Sequence, residues 1–438
     1  MSSSMKEGAL VTYALDEIVE TLSVISTFTD MGQTYNPPGA ELQRSANSYW
    51  KPIEQQARDV SGWDVTGEDG GVIELSINGS LGVPDNAFFS LRADDLRDER
   101  SYRRRFKANA MRLAGKVEQD GLLKAATHGS FAVTNTNAIG SANYSAWDAL
   151  AEADSKMFDL EYSKDAGTCV YMNTTDYLAG GKDLTNSTAN YQAQIPDDAY
   201  KSGALQRQVA GIGDVYRHNK VPAITAQATA VTVTGDQTFA PVATEQSANG
   251  SSVPFDNRFA ALTVSTTTGV NVGDKFTVPG MYAVSRDGKI ESTNLMTFTV
   301  AAITSGTVMQ ISPRPYAWDE RPAADGGSGV LTRDESAYAN VNTAFNNSDV
   351  ITWLNTTAGK SNIVMTKDSM VLASSPIPTS HDMFAGMKTE PFEAGNINGI
   401  IGWQGTLGTL TGQCRIAIWY DWQVEKPEEV GIIMGGQA

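Results

Sequence analysis

The run Leu91-Arg92-Ala93-Asp94-Asp95-Leu96-Arg97-Asp98-Glu99, continuing through Arg103-Arg104-Arg105 to Gly129, sets the architecture of this chain. Phe106, Ala110, Leu113 and Val117 recur at spacings of three and four, which is the period of an amphipathic helix. One long, stiff helix is therefore predicted to open near Asp94-Asp95 and to close at Gly129. Asp94, Asp95, Asp98 and Glu99 stand in its first turns, where the positive end of the helix dipole favours acids, and Glu99 reaches Arg103 at i, i+4. The cluster Arg103, Arg104 and Arg105 has two readings: contact with a second chain or an internal partner, or a solvated, salt-bridged helix face.

Upstream of this helix the pattern shortens to strand-like alternation. Val72-Ile73-Glu74-Leu75-Ser76-Ile77 leads into Asn78-Gly79, the signal of a type I′ turn, so Trp50 to Phe89 is expected to be a β-hairpin or long β-loop, punctuated by Gly62, Gly67, Gly70 and Gly71. Further back, Leu10, Ala14, Ile18, Leu22 and Ile25 form one stripe of a second amphipathic helix over Lys6 to Phe28. Asn36-Pro37-Pro38-Gly39 then favours extended geometry. Helix plus strap reads either as an arm that docks elsewhere or as a terminal helix packed on its own domain.

Downstream, Trp147, Leu150, Met157 and Leu160 form a helical stripe, and after Val221-Pro222 the composition changes abruptly. Thr229 to Thr234, Phe259 to Val264, Lys275 to Val278, Thr297 to Ile303 and Thr307 to Ile311 are short β-like runs. Gly235-Asp236, Asn249-Gly250, Gly273-Asp274 and Asp287-Gly288 separate them as turns, at the spacing of a small barrel or sandwich. Residues 226 to 338 are accordingly predicted to be an inserted all-β domain that folds autonomously. Strand-like Asn362 to Met365 and Arg415 to Tyr420 then resume the host, flanking the Gly-rich Gly395 to Gly412. The fold class is α+β.

At 438 residues the chain exceeds a single core, which stops growing at roughly 250 to 300 residues. Its 41% hydrophobic and 19% charged content is that of a folding chain, and a net charge of -17 disfavours a main role in gripping phosphates. Cys169 and Cys414 lie in no metal-ligand spacing and fit a reducing compartment. Met1 to Glu7 turns polar without an apolar leader core of roughly 7 to 15 residues, and no run approaches a membrane span, so a cytosolic chain without membrane contact is expected.

Catalytic motifs are missing from the pattern. His128, His218 and His381 form no local relay or HExxH, and Gly359-Lys360-Ser361 fails as a phosphate loop because the required first glycine falls at Leu354. Acid pairs such as Asp94/Asp95, Asp197/Asp198 and Glu428/Glu429 are neighbours in sequence, whereas acid-base hydrolysis requires carboxyls placed across a cleft. No catalytic residue, cofactor or metal is assigned.

Several long strings resemble the coat proteins of short-tailed phages of enteric bacteria, a family with the phage-capsid/encapsulin fold and an extra inserted domain. Leu15-Asp16-Glu17-Ile18 with Glu20-Thr21, then Pro37-Pro38, Gln43-Arg44-Ser45 and Trp50, resemble its N-terminal arm. Pro84-Asp85-Asn86 and Leu91 to Glu99, including Arg97, resemble the lead-in to its spine helix. Gln206 to Gly211, Asp256 to Ala260, Tyr338 to Thr343 and Phe384 to Thr389 match in the same order.

The resemblance implies an arm at 1–45, an extended loop at 46–88 overlapping a neighbour, a peripheral domain with spine helix at 89–135, a first axial part at 136–225, the insertion at 226–338, a second axial part at 339–412 and a peripheral C-terminal segment at 413–438. It implies self-assembly as pentamers and hexamers, with scaffolding protein, portal protein and packaged double-stranded DNA as partners, in a virion built in the bacterial cytoplasm. The family's insertion carries a loop that crosses local two-fold axes by opposite charges; here it maps to Glu245 to Asp256, around Asn249-Gly250. Gln246-Ser247-Ala248-Asn249-Gly250-Ser251-Ser252 is uncharged, so a hydrogen-bonded contact or none is expected. The interaction candidates are Ile18, Leu22, Arg97, Arg103, Arg104, Arg105, Glu245, Asn249, Gly250 and Asp256. Competing readings are a carbohydrate-binding or adhesive virion protein, from the Thr-rich insertion, and an acidic hydrolase.

Overall fold

The computed structural model describes residues 32–37, 47–53, 73–92, 99–137, 145–162, 167–179, 211–246, 250–321, 328–376, 388–394, 396–406 and 411–437. The Lys6–Phe28 helix with Ile18 and Leu22, the helix lead-in with Arg97, the loop over 54–72, Asn249 and His381 lie outside them.

In chain order the first strands are β1 (Gln33–Tyr35), β2 (Ser48–Pro52), β3 (Ser76–Ser80) and β4 (Asp85–Arg92). Helix α1 (Glu99–His128), β5 (Phe131–Asn135) and helix α2 (Ala146–Asp159) follow. Next come β6 (Thr168–Met172), β7 (Asp214–Arg217), β8 (Ala223–Ile224), β9 (Val231–Thr232), β10 (Thr244–Gln246), β11 (Ser252–Pro254) and β12 (Ala260–Thr263). Long strands β13 (Lys275–Val284) and β14 (Glu291–Ser305) precede β15 (Val308–Ser312), β16 (Val350–Trp353), β17 (Gly359–Lys360), β18 (Asn362–Thr366) and β19 (Met370–Ser374). The chain ends with β20 (Lys388–Ala394), β21 (Ile397–Thr406), β22 (Thr411–Val424) and β23 (Val430–Gly435).

Two compact units result. The first draws on Met1–Trp50, Asn78–Gly121 and Met370–Gln423. Its sheet runs β1-β19-β22-β21-β20, with β4 added along β22. The predicted stripe Phe106, Ala110, Leu113 and Val117 of α1 is buried. Phe106 meets Phe89 of β4 edge-on at 4.9 Å, and Trp422 Nε1 donates to Val117 O at 3.0 Å, so the helix is seated by its apolar face. At 30 residues α1 is about 45 Å long.

Asn78-Gly79, expected to be a turn, lies instead inside β3. A Cβ at Gly79 would sit 2.2 Å from Cζ of Tyr49, so the glycine serves a close approach by that ring and not a reversal of the chain. Tyr49 is buried with Leu81, Ala373 and Trp419, and its hydroxyl donates to Asp421 Oδ2 at 3.2 Å.

The second unit draws on Lys51–Ile77, Leu122–Ser369 and Val424–Ala438. Its five-stranded mixed sheet runs β5-β23-β18-β6-β7, and nearly every residue of β6, β18 and β23 is buried, as in a sheet covered on both faces. Ser145 caps α2, its hydroxyl accepting from Asp148 N at 3.1 Å. Ala146, Ala149, Leu150, Ala153 and Met157 form the buried face of α2, while Trp147, placed on that stripe by the sequence pattern, is 46% exposed. Ala146 and Ala149 occupy the inward positions beside it.

The β-rich segment forms a six-stranded sheet, β12-β15-β14-β13-β16-β9, whose outer strands meet through the Val233↔Val264 bridge, closing a barrel. Phe276, Phe298, Val300, Met309, Ile311 and Phe345 fill it. Its fifth strand, β16, comes from beyond residue 338, where the sequence pattern ended the insertion. The chain enters and leaves through a ribbon in which β8 pairs with β17, Gly359 opposite Ile224.

Candidate functional site

Three polar nodes hold the second unit together. The first joins the barrel to the end of α1. Gly129 follows the helix at a close approach to β23, where a Cβ would lie 2.4 Å from Val430 O, and carbonyls of the last turn have no intrahelical partner. Lys275, opening β13 and 0% exposed, supplies the missing donor. Its Nζ donates to Ala126 O at 2.8 Å, to Gly129 O and to Thr299 Oγ1 at 2.9 Å, placing a cation at the negative end of the helix dipole. Burial pulls its pKa down to about 7, opposed by Asp274. Asp274 in turn accepts from Gln227 Nε2 at 3.0 Å and Asn355 Nδ2 at 2.9 Å.

The second node is a cleft of about 140 Å³ lined by Ile53, Leu75, Tyr162, Arg286, Tyr338 and the 425–429 segment. Lys51 pairs with Glu425, and Arg286 Nη1 with Glu429 Oε1 at 3.1 Å. Asn340 Nδ2 donates to Glu428 Oε1 at 2.7 Å, while burial pushes the Glu428 carboxyl up. Lys289, drawn down to about 8 by burial, donates to Ala339 O at 3.0 Å. These pairs tie the base of the 54–72 loop, the β13–β14 turn and the C-terminal segment to one another. Glu428 and Glu429, adjacent in sequence, have separate partners, which is the arrangement of a fastening.

The third node is Asp176, 0% exposed, whose Oδ2 accepts from Asn173 Nδ2 at 2.8 Å and from Asn362 Nδ2. Its Oδ1 has no hydrogen-bond partner. Burial raises the carboxyl to about 6, against the two amides.

Among the described residues no group of three or more His, Cys, Asp or Glu side chains is placed to hold a metal ion. His128 is pulled down to about 3, first by burial and then by Lys124, Arg258 and Lys275, so it stays neutral beside Phe259. Cys169 and Cys414 are buried and free, and burial pushes Cys414 up to about 12.

The contact candidates divide. Glu245 is exposed on β10, opposite Val253 of β11, and Gly250 adopts φ 77° at the hairpin tip, a conformation that favours glycine. Asp256, at the hairpin base, is engaged within its own chain. Arg258 donates from Nε to Asp256 Oδ1 at 2.9 Å and from Nη2 to Oδ2 at 2.6 Å, and its Nη1 reaches Val424 O at 3.0 Å. Arg104 and Arg105 are exposed on α1, with Arg105 Nη1 3.4 Å from Ser90 O; Arg103 lies on the same helix. Sequence reading missed Lys275, Arg258 and Lys51, because a single charge at a strand end carries no local signal of what it will meet.

The comparisons with known proteins complete the picture. The sequence matches the family model described as P22 coat protein, gene protein 5, over residues 2–436. Among solved structures, the chain is similar to the I-domain of the coat protein of CUS-3 at 31% identity over 30% of this chain and 99% of that one, with a TM-score of 0.23. It is also similar to the capsid of cyanophage P-SCSP1u at 11% identity, covering 93% of this chain and 87% of that one with a TM-score of 0.42. The mature capsid of bacteriophage PhiM1 gives 8% identity, coverage of 93% and 86%, and a TM-score of 0.44. With the family match spanning nearly its whole length, the chain belongs to the P22 coat protein family and is a phage coat protein of the tailed-phage capsid fold, a structural subunit of the virion shell.

Proposed function

We propose that this chain is the major capsid protein that assembles, with a scaffolding protein, into an icosahedral procapsid and then into the DNA-containing head. The observation that carries this reading is the family match over residues 2–436, and a barrel entered and left through the two-stranded β8–β17 ribbon is in keeping with it. The subunit acts by shape and contact, without catalysis or cofactor. Its partners are its own copies in pentamers and hexamers, the scaffolding protein, the portal protein and double-stranded DNA held without sequence-specific contacts. A net charge of -17 supports loose association with phosphates. Assembly takes place in the host bacterial cytoplasm.

In this reading residues 1–45 are the arm, with Ile18 and Leu22 on its docking face, and 46–88 the loop that overlaps a neighbour. Arg97, Arg103, Arg104 and Arg105 belong to the spine-helix surface offered to a neighbour or an internal partner. Glu245 on β10 and Gly250 at the hairpin tip, together with Asn249 of the intervening sequence, are the residues offered to the local two-fold axis, through hydrogen bonds or without a contact, whereas Asp256 stabilises the hairpin base from within. Rings of subunits require unlike surfaces to meet head to tail, which suits an arm and a loop better than a self-complementary patch.

The test is sedimentation and negative-stain imaging of the full-length protein, alone and co-expressed with a candidate scaffolding protein. Closed particles, or irregular shells that become uniform with the partner, are expected. A strictly monomeric protein under both conditions would refute the assignment.

A further inference from the structure

Helix α2 turns two large aromatic side chains to solvent. Trp147, Ala151, Asp154 and Phe158 recur at spacings of four, three and four, which sets them on one line of the helix about 16 Å long. Trp147 is 46% exposed and Phe158 67%, with Ala151 half-buried between them. Asp154, on the same line, lies against its own chain, since a Cβ at Gly211 would stand 2.4 Å from its Oδ2. Asp148, Glu152, Ser155 and Asp159, all exposed, run alongside as a polar flank. The helix holds four acids and one base, Lys156, which pairs with Glu152 at 2.9 Å. Just past its end, Phe158, Asp159, Glu161 and Tyr162 line an open hollow of about 400 Å³ that a long cationic side chain can enter.

Helix α1 carries the converse surface. Arg104, Ala108, Met111 and Gly115 repeat the same spacing of four, three and four, and the first three are exposed, Met111 at 53%. Arg105, Lys107 and Arg112 flank this line and are exposed as well. Residues 104–117 contain five bases and no acid. One helix thus shows aromatic rings bordered by acids, and the other a methionine and small residues bordered by bases. Aromatic, Met and Arg side chains are enriched where proteins meet, a guanidinium stacks on an aromatic face, and the methionine thioether packs well on a ring.

We infer that the Trp147–Phe158 face of α2 in one copy of this chain receives the Arg104–Arg112 face of α1 in a second copy. The acids of α2 meet the bases of α1, and Trp147 and Phe158 pack on Met111 and the arginine stems. A second copy is the fitting occupant because the chain is a subunit of a shell and because its own α1 supplies the complementary charge. The two faces are unlike, so the contact runs head to tail and is of the kind that closes rings. The inference rests on the capsid reading above and names a pair of surfaces that reading leaves open.

The experiment compares full-length chains co-expressed with the candidate scaffolding protein and reads the fraction that sediments as closed particles. The wild type is set beside an α2 reversal, Glu152→Lys with Ser155→Lys, an α1 reversal, Arg104→Glu with Arg112→Glu, and a chain carrying both. All four positions are exposed, and circular dichroism of the unassembled subunits checks that each variant is folded. Each reversal alone sets like charges against each other and is expected to lower the particle fraction at least about tenfold. The chain carrying both restores opposite signs and is expected to recover it, which residues serving only their own fold would not do. Trp147→Ser leaves the charges as they are and is expected to lower the particle fraction by removing an anchor of the contact. Particles from every variant as from the wild type would overturn the contact and leave the capsid reading standing. So would a loss under the α2 reversal that the α1 reversal neither shares nor rescues, which would give the face to another partner. No particles from the wild type would remove the capsid reading and the contact with it.

Discussion

Lys275 Nζ lies 2.8 Å from the carbonyl oxygen of Ala126, so a lysine that opens a barrel strand caps the carboxyl end of the long helix. The same ammonium reaches Gly129 O and Thr299 Oγ1, using all three of its donors. Replacing it by Met keeps the stem and removes the donors. Three buried acceptors and the neighbouring Asp274 then lose their cation, and Lys275→Met is expected to destabilise the protein by about 3 kcal/mol, read by urea denaturation. An effect below about 1 kcal/mol would mean that water replaces the ammonium freely.

Gly79 and Tyr49 make a second pair with a measurable coupling. Because a Cβ at Gly79 would stand 2.2 Å from Tyr49 Cζ, Gly79→Ala is expected to cost about 1 to 3 kcal/mol through overpacking. Tyr49→Ala, which empties a buried site beside Leu81 and Trp419, costs about 3 to 5 kcal/mol. The methyl added by Gly79→Ala clashes only when the ring is present, so the double variant should cost clearly less than the sum of the two. Strict additivity in this cycle would show that the ring moves aside without penalty.

That pair also shows where sequence reading stops. The stripe Phe106, Ala110, Leu113 and Val117 was legible because the helical period is local, and the β runs of the insertion because β-branched residues cluster between turns. Asn78-Gly79 has the chemistry of a turn, but the residue that fixes its conformation is Tyr49, far upstream in the chain. The end of the insertion failed for a similar reason: Val350-Ile351-Thr352-Trp353 is a strand-like run, and only its pairing with β13 and β9 assigns it to the barrel. Of the contact candidates, Glu245, Gly250 and Asp256 fall on one hairpin as the turn signal required, but the internal pairing of Asp256 with Arg258 depends on side-chain direction, which spacing does not give.

Asp176 sets a pH dependence with a definite sign. Its carboxyl is raised in the folded chain to about 6 from an ordinary value of 3.8, so between those values the folded state binds the proton that the unfolded state releases. Its contribution to stability is complete below about pH 4 and is lost as the pH rises through about 6, amounting to roughly 2 to 3 kcal/mol. Asp176→Asn should remove this slope and stabilise the protein at neutral pH, measured by urea unfolding at several pH values. An unchanged slope would mean that the orphaned Oδ1 meets a buried water that keeps the carboxylate ionised.

The barrel's boundaries yield the last expectation. β16 lies between β13 and β9, with Phe276 opposite Trp353, their rings 5.6 Å apart, and Trp353 Nε1 donating to Thr229 O at 2.7 Å. Phe345 packs on Phe298 at 5.5 Å, and Asn355 Nδ2 donates to Asp274, the residue before β13. A fragment of residues 226 to 338 lacks Phe345, Trp353 and Asn355, leaving Phe276 and Phe298 uncovered and β9 without its only ladder partner among the described strands. A fragment of residues 223 to 360 keeps them and the β8–β17 ribbon that brings the two chain ends together. The shorter fragment is expected to give collapsed amide signals in NMR, and the longer one the wide dispersion of a folded barrel. Equal dispersion from both would show that the sheet closes without β16, and that the 339–360 segment is fastened to a barrel that does not need it.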